Sequence, residues 1–117
     1  VVYESHFMRT FIHVQDMARA FLFAIENQDK MKNQIYNVGS EKMNRSKKDI
    51  CEMIKSHVNF YVHYADIGED QDKRNYVVIY KKINRLGFDT TISIDDGIKE
   101  LTKALRVIKF KVPYTNV

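Results

Sequence analysis

Two arginines are the side chains of this sequence best suited to hold an anionic ligand. Arg9 comes directly before the apolar run Thr10–Val14, and Arg74 precedes another apolar segment. A guanidinium offers a planar pair of donors that matches two phosphate oxygens, and it does not lose its charge. Phosphate binding is one interpretation. The alternatives are an exposed charge at a strand end for Arg9, and an ion pair with Asp70 or Asp72 for Arg74.

Two further side chains are candidates for ligand contact through their position in the chain. Asn37 stands near the end of a predicted strand and before a loop, which is a usual ligand position in α/β proteins. The alternative is that its side chain holds its own turn. Tyr76 follows Arg74 and either lines a ligand pocket or packs in the core.

The sequence contains no pattern typical of catalysis or of metal binding. Its His, Cys and Asp residues lack the spacing of zinc ligands, and the acidic stretch Asp66–Asp72 lacks the spacing of a calcium loop. Cys51 has no partner of catalytic type and is interpreted as a packing residue, and His13 as a hydrogen-bonded structural residue. We therefore predict no catalytic residue, no cofactor-binding residue and no metal ligand in this chain.

Composition bounds the class of protein. The chain has 117 residues, 44% apolar and 29% charged, which is typical of one globular domain, and we place a single domain over 1–117. No apolar run approaches the roughly 20 residues that span a bilayer, so no membrane partner is expected. A single cysteine favours a reducing, cytoplasmic location. The chain begins with Val1 rather than Met, which suggests a fragment or a processed product.

The elements that must position the candidate residues are short strands and amphipathic helices. Apolar and β-branched runs predict strands at Val1–Tyr3, Thr10–Val14, Gln34–Val38 and Phe60–Tyr64. Helices are predicted over Asp16–Asn27, after a capping box that starts at Ser46, over Tyr80–Leu86, and after a second cap at Ser93. The sequence thus predicts an α/β fold, a small mixed domain of short strands and about four helices.

The first predicted helix carries a clear apolar stripe. Its members fall at helical spacing and are expected to be buried together: Met17, Ala20, Phe21, Ala24 and Ile25.

Four stretches, in their order and spacing, resemble one enzyme family. They are Arg9–Ala20, Ile35–Gly39, Asp72–Tyr76 with the later Leu86-Gly87-Phe88, and Ser93–Leu101. Each motif alone is weak, but together they cover nearly the whole chain. On them the chain resembles the substrate-binding, C-terminal part of the NAD-dependent nucleotide-sugar epimerases and dehydratases, in the extended short-chain dehydrogenase/reductase superfamily.

The resemblance implies a role for each candidate. Arg9 and Arg74 would contact the diphosphate of a nucleotide sugar from two sides, Asn37 would contact the nucleotide or sugar, and Tyr76 would line the base pocket. A Pro-Gly turn common in the family is absent here, where Gly68-Glu69-Asp70 stands instead.

The other half of such an enzyme is not found in these residues. The glycines at positions 39, 68, 87 and 97 do not form the Gly-rich turn of a dinucleotide-binding fold, and no tyrosine is followed by lysine four positions later. We therefore expect that NAD or NADP is bound by a missing domain of the parent enzyme, and that the chain alone is inactive. Its partner would be a nucleotide sugar, and its uncovered domain interface would favour self-association.

Two other functions compete with this one. The net charge of +4 and seven tyrosines are compatible with a nucleic-acid-binding module, but the lysines are spread and do not interleave with aromatic residues, so no nucleic acid partner is expected. A catalytically dead relative that serves as an interaction or structural domain is the second alternative.

Overall fold

The computed structural model describes residues 1–108, which form five α-helices and one two-stranded sheet. The strands are β1 (Met8–Thr10) and β2 (Asn44–Ser46). The helices are α1 (Val14–Glu26), α2 (Gln28–Met31), α3 (Lys47–Lys55), α4 (Lys81–Asn84) and α5 (Ile94–Val107). The prediction of a small mixed α/β fold is confirmed. The end of the predicted domain 1–117, beyond Ile108, lies outside the described residues.

The sheet sends alternate side chains to opposite faces. β1 and β2 run antiparallel, with Thr10 opposite Asn44 and Arg9 opposite Arg45. Thr10 faces inward, where its hydroxyl lies 2.5 Å from that of Tyr80. Because side chains alternate along a strand, Arg9 and Arg45 share the outer face.

The buried core lies beneath α1 and α4. Its most buried members, each at most 5% exposed, are Ala20, Tyr80, Ile83 and Phe88. His13 is the N-cap residue of α1. Its ring nitrogen Nδ1 accepts the backbone N–H of Gln15 at 3.2 Å, one of the N–H groups that have no acceptor within the first turn of a helix. This confirms the interpretation of His13 as a hydrogen-bonded structural residue.

The two predicted helix caps are confirmed. Before α3, the Ser46 hydroxyl accepts the N–H of Asp49 at 3.0 Å, and the Asp49 carboxylate accepts the N–H of Ser46 at 3.0 Å. These two bonds hold the pKa of Asp49 below its usual value. Before α5, the Ser93 hydroxyl accepts the N–H of Asp96.

Most of the predicted strands are absent. Within residues 1–108, Val1–Tyr3 and Phe60–Tyr64 contribute only one parallel bridge, between Val2 and Tyr64, and Gln34–Val38 is not in a sheet. The predicted strand Thr10–Val14 ends at Thr10, and α1 already begins at Val14. A strand exists only when a neighbour accepts and donates its backbone hydrogen bonds, and within residues 1–108 these segments find such a neighbour only at that single bridge.

The buried stripe of the first helix was predicted only in part. Ala20 is buried, but Phe21 and Ile25 are 68% and 70% exposed, together with Leu22 at 61%. Periodicity identifies an apolar face, but what covers that face depends on the rest of the protein.

The helices of residues 1–108 do not include one with the length and apolar character needed to cross a membrane.

Candidate functional site: an arginine–aspartate cluster

The side chain of Arg9 lies in a hydrogen-bonded setting at the outer face of β1. It is only 16% exposed, and its guanidinium donates to the carbonyl oxygens of Met8, Arg74 and Asp72. Its Nη2 also lies 3.4 Å from the Asp72 carboxylate. The strand therefore brings Arg9 to a loop more than 60 residues away in sequence.

Arg74 meets the same carboxylate from the other side. Its Nε and Nη2 donate to the two carboxylate oxygens of Asp72 at 2.8 and 2.7 Å, a bidentate fork. The Arg74 backbone N–H donates to Asp72 Oδ1 at 3.1 Å, so the aspartate also shapes its own turn. This fork, with help from Arg9, holds the pKa of Asp72 far below its usual value and raises the pKa of Arg74.

Arg9, Asp72 and Arg74 are called the arginine–aspartate cluster below. The alternative of an ion pair between Arg74 and Asp72 is thus present in the structure, and the arginine of this pair is 73% exposed. Both guanidiniums converge on one anionic group, which is the arrangement that binding of a single phosphate or diphosphate requires.

Tyr76 borders the arginine–aspartate cluster. The Arg9 guanidinium carbon lies 5.7 Å from the centre of its ring, within the range of a cation–π contact. The ring is 38% exposed, so Tyr76 lies at the surface beside the arginines and not in the buried core.

Asn37 makes its contact elsewhere. Its exposed side chain donates to the carbonyl oxygen of Ile79 at 3.2 Å and not to either arginine partner. Of the four candidate residues, the structure brings together Arg9, Arg74 and Tyr76.

A ring of further charges surrounds the arginine–aspartate cluster. Lys47 lies 2.8 Å from the Asp70 carboxylate, and Lys73 pairs with both Glu69 and Glu4. The Glu4 carboxylate also accepts the N–H of Asp70 at 2.7 Å, which ties the loop to the start of the chain. Cluster and ring together hold four cations and four carboxylates, so this surface is close to neutral.

The sequence analysis did not single out Arg45. It lies directly opposite Arg9 in the sheet and donates to the carbonyl oxygen of Asn44 at 2.9 Å. With Lys42 and residues 89–95, which run into the start of α5, it lines a cavity of about 340 Å³. The pairing register of β1 and β2 places Arg45 opposite Arg9. With only three residues in each strand, the sequence carries little information about that register.

The sequence analysis named Asp16 only as the first residue of the predicted helix Asp16–Asn27. Asp16 is fully buried and accepts the N–H groups of Thr91 and Ile92, the Thr91 hydroxyl and the Arg19 guanidinium at 2.6–3.1 Å. A signal was present, since Asp16 stands four residues before Ala20 on the apolar stripe. On that stripe Asp16 faces the interior, where it is buried and paired with Arg19.

No metal site is evident in the described residues, because they contain no group of three or more His, Cys, Asp or Glu that could hold an ion. The space beside Gly39 is filled by the Tyr80 ring, which a Cβ at Gly39 would approach to 2.7 Å.

Comparison with known proteins agrees with the resemblance found in the sequence. Residues 4–39 match the model of the NAD dependent epimerase/dehydratase family. The chain is 23% identical over 97 residues to CDP-paratose 2-epimerase of Salmonella typhi, covering 80% of this chain and 29% of that protein.

Two solved structures from Campylobacter jejuni share the fold. A GDP-D-glycero-L-gluco-heptose synthase, determined with NADPH, has a TM-score of 0.69 at 21% identity, covering 90% of this chain and 32% of that one. A GDP-mannoheptose C4 reductase with NADP bound has a TM-score of 0.70 at 24% identity, covering 90% and 34%.

The chain thus spans about a third of the length of the proteins it matches. The family-model match over residues 4–39 includes Arg9 and Asn37. Arg74 and Tyr76 lie outside that match, in the larger part of the chain that the Salmonella typhi epimerase and the solved structures cover. Taken together, the match over residues 4–39, the curated relative and the common fold make this chain similar to the NAD dependent epimerase/dehydratase family.

Proposed function

We propose that this chain is the substrate-binding part of an NAD(P)-dependent nucleotide-sugar epimerase, dehydratase or reductase, and that its arginine–aspartate cluster holds the diphosphate of the sugar nucleotide. The observation that carries the proposal is the convergence of Arg9 and Arg74, from distant parts of the chain, on one carboxylate. A carboxylate offers a guanidinium the same pair of oxygens as a phosphate group. A diphosphate has more charge and two such groups, one for each arginine.

The proposed work of this chain is binding and orientation. Arg9 and Arg74 would neutralise the diphosphate, and Tyr76, half-exposed beside them, offers a ring face for the base. Asn37 would reach the nucleotide or sugar from a separate position. Holding the diphosphate at a set place orients the sugar for reaction, which is how positioning groups contribute to catalysis.

Hydride chemistry would be supplied by NAD or NADP, bound by the rest of the enzyme and not by this chain. The scattered glycines, and the Tyr80 ring against Gly39, support that division. We infer that the isolated chain does not epimerise, dehydrate or reduce a sugar nucleotide. A cytoplasmic location belongs to the same proposal, and the single cysteine is its support.

A binding measurement tests the proposed function. GDP and CDP, titrated into the chain by calorimetry, are expected to bind weakly and with one-to-one stoichiometry. Arg74→Ala should weaken binding by about tenfold or more, because a hydrogen bond to a charged group contributes about 1.5–3 kcal/mol. Arg74 is the better residue to replace first, because Arg9 also donates to three backbone carbonyl oxygens. Arg9→Ala is expected to abolish binding, and circular dichroism should verify that this variant is folded.

The matched control is Arg85→Ala. Arg85 is exposed at the end of α4, and its replacement removes the same charge at a distance from the arginine–aspartate cluster. An equal loss of affinity in Arg74→Ala and Arg85→Ala would mean that the net charge of the chain, and not a specific contact, determines binding. If neither GDP nor CDP showed saturable binding to the unmodified chain, the proposal would be contradicted.

The exposed apolar side of α1 provides a second test. Phe21, Leu22 and Ile25 are 61–70% exposed, and Ile35 is 88% exposed. Since the chain spans a third of its relatives, we propose that the remaining two thirds of the enzyme cover this face. Alone, the chain should self-associate through it.

Light scattering coupled to gel filtration measures the molar mass in solution and so tests for self-association. The double variant Phe21→Lys/Ile25→Lys should be more nearly monomeric than the unmodified chain, whereas Gln15→Lys, on an exposed polar position of the same helix, should not change the mass. A clean monomer of the unmodified chain at high concentration would count against an uncovered interface.

A further inference from the structure

The carboxylate of Asp72 occupies the place where both arginines would meet an anion. Its Oδ1 accepts Arg74 Nε at 2.8 Å, and its Oδ2 accepts Arg74 Nη2 at 2.7 Å and lies 3.4 Å from Arg9 Nη2. Both oxygens are therefore engaged by the guanidiniums to which the proposed function assigns the diphosphate. A phosphate group and this carboxylate would compete for the same donors.

The exchange of one anion for the other does not require the core to open. The side chains of Asp72 and Arg74 are 35% and 73% exposed, so solvent and ligand reach the fork. Arg9 is held independently, because it also donates to the backbone carbonyls of Met8, Asp72 and Arg74. If the Asp72 side chain moved aside, the Arg9 guanidinium would keep its place.

The charges around the fork also indicate that Asp72 weakens the binding of anions. The arginine–aspartate cluster with its ring holds equal numbers of cations and carboxylates, so it attracts anions little from a distance. Neutralising one carboxylate would leave an excess positive charge at the fork itself.

From these contacts we infer that Asp72 is a built-in competitor of the substrate diphosphate, a specificity-determining residue that lowers the affinity of the site for phosphate-bearing ligands. The inference rests on the proposed function. Only a ligand able to engage both guanidiniums displaces the carboxylate from them, which disfavours weaker anions by competition and not by exclusion.

Asp72→Asn is the variant that tests this role. Asparagine has nearly the same shape, and its side-chain oxygen can still accept the Arg74 N–H that shapes the turn, so the charge is removed and the loop is kept. Inorganic pyrophosphate and GDP are the probes, measured by calorimetry on the unmodified chain and on the variant. Both should bind about three- to tenfold more tightly to Asp72→Asn, because each partly exposed ion pair that the ligand must displace contributes only modestly.

Glu69→Gln is the matched control. It removes one carboxylate from the same loop, but Glu69 contacts Lys73 and neither arginine. Its affinity for both probes should stay close to that of the unmodified chain, which separates competition at the fork from a change in overall charge. Thermal unfolding of all variants verifies that each is folded.

The outcomes are distinct. Tighter binding by Asp72→Asn with unchanged Glu69→Gln supports the inference. If the unmodified chain binds GDP and Arg74→Ala does not, but Asp72→Asn binds equally or more weakly, Asp72 is a positioning residue and the competitor role is wrong while the proposed function stands. If no variant binds either probe, Asp72→Asn included, the proposed function and this inference both fail.

Discussion

Replacing Asp16 with alanine is expected to lower the free energy of unfolding by about 3–5 kcal/mol. The carboxylate is fully buried, and within residues 1–108 it is the acceptor for the N–H groups of Thr91 and Ile92. Removing it leaves those donors without their acceptor and leaves Arg19 without its carboxylate at 2.6 Å. A small domain has a total stability of about 5–15 kcal/mol, so the variant should be close to unfolded at moderate temperature.

Urea unfolding followed by circular dichroism measures this effect. The matched control is Asp29→Ala, which removes an exposed acid from the first turn of α2 and should cost less than about 1 kcal/mol. A loss for Asp16→Ala no larger than for Asp29→Ala would mean that the link between α1 and the loop before α5 does not form as described.

The same residue should affect the response to acid. Burial alone would raise the pKa of Asp16, but hydrogen bonds from the N–H groups of Ile92 and Thr91, and from Arg19, outweigh it and hold the pKa below its usual value. A lowered folded-state pKa means that the stabilisation is complete above the unfolded value of about 3.9 and is lost as the pH falls through the folded value. Asp16→Asn should therefore lose less additional stability below about pH 4 than the unmodified chain does.

Replacing Gly39 with alanine is the second change with a large expected effect, about 2–4 kcal/mol of lost stability. Gly39 has a φ of +151°, and a Cβ there would lie 2.7 Å from Cε1 and 2.8 Å from Cζ of Tyr80. Tyr80 cannot easily give way, because it is 2% exposed and its hydroxyl is bonded to Thr10. The variant thus combines backbone strain with a clash in the core.

Gly87→Ala separates those two causes. Gly87 has a φ of +101°, but a Cβ there would meet no atom within 4 Å, so only backbone strain of about 1 kcal/mol is expected. Denaturant midpoints of the two variants compare them directly. If Gly39→Ala were no worse than Gly87→Ala, the Tyr80 ring would not pack against residue 39 as the structure has it.

The candidate site shows where sequence reasoning is strong and where it is not. Arg9, Arg74 and Tyr76 were identified as ligand candidates, and they do come together around one loop. An ion pair of Arg74 with either Asp70 or Asp72 was the open alternative to phosphate binding, and the structure has it with Asp72. Asp70 pairs with Lys47 instead. A choice between two acids two positions apart depends on loop geometry, which propensities do not encode.

Local signals were sufficient for the starts of two helices, α3 and α5. The capping box of Ser46 and Asp49 and the cap at Ser93 act over three residues, so the sequence by itself determined where these two helices begin. Order and spacing of the motifs also indicated the resemblance to the NAD-dependent epimerases and dehydratases, which the comparisons share, and the sequence of elements indicated the mixed α/β class.

Only the tertiary structure decided the strands, the faces and the charges. A strand needs a hydrogen-bonding neighbour, so Gln34–Val38 stays unpaired in the described part of the chain, although its composition favours a strand. The same holds for α1, whose apolar stripe is half uncovered, and for Asp16, whose partners stand 75 and 76 residues away. Pairing, burial and ion contacts are properties of neighbours in space, and a single sequence specifies those neighbours only through the fold.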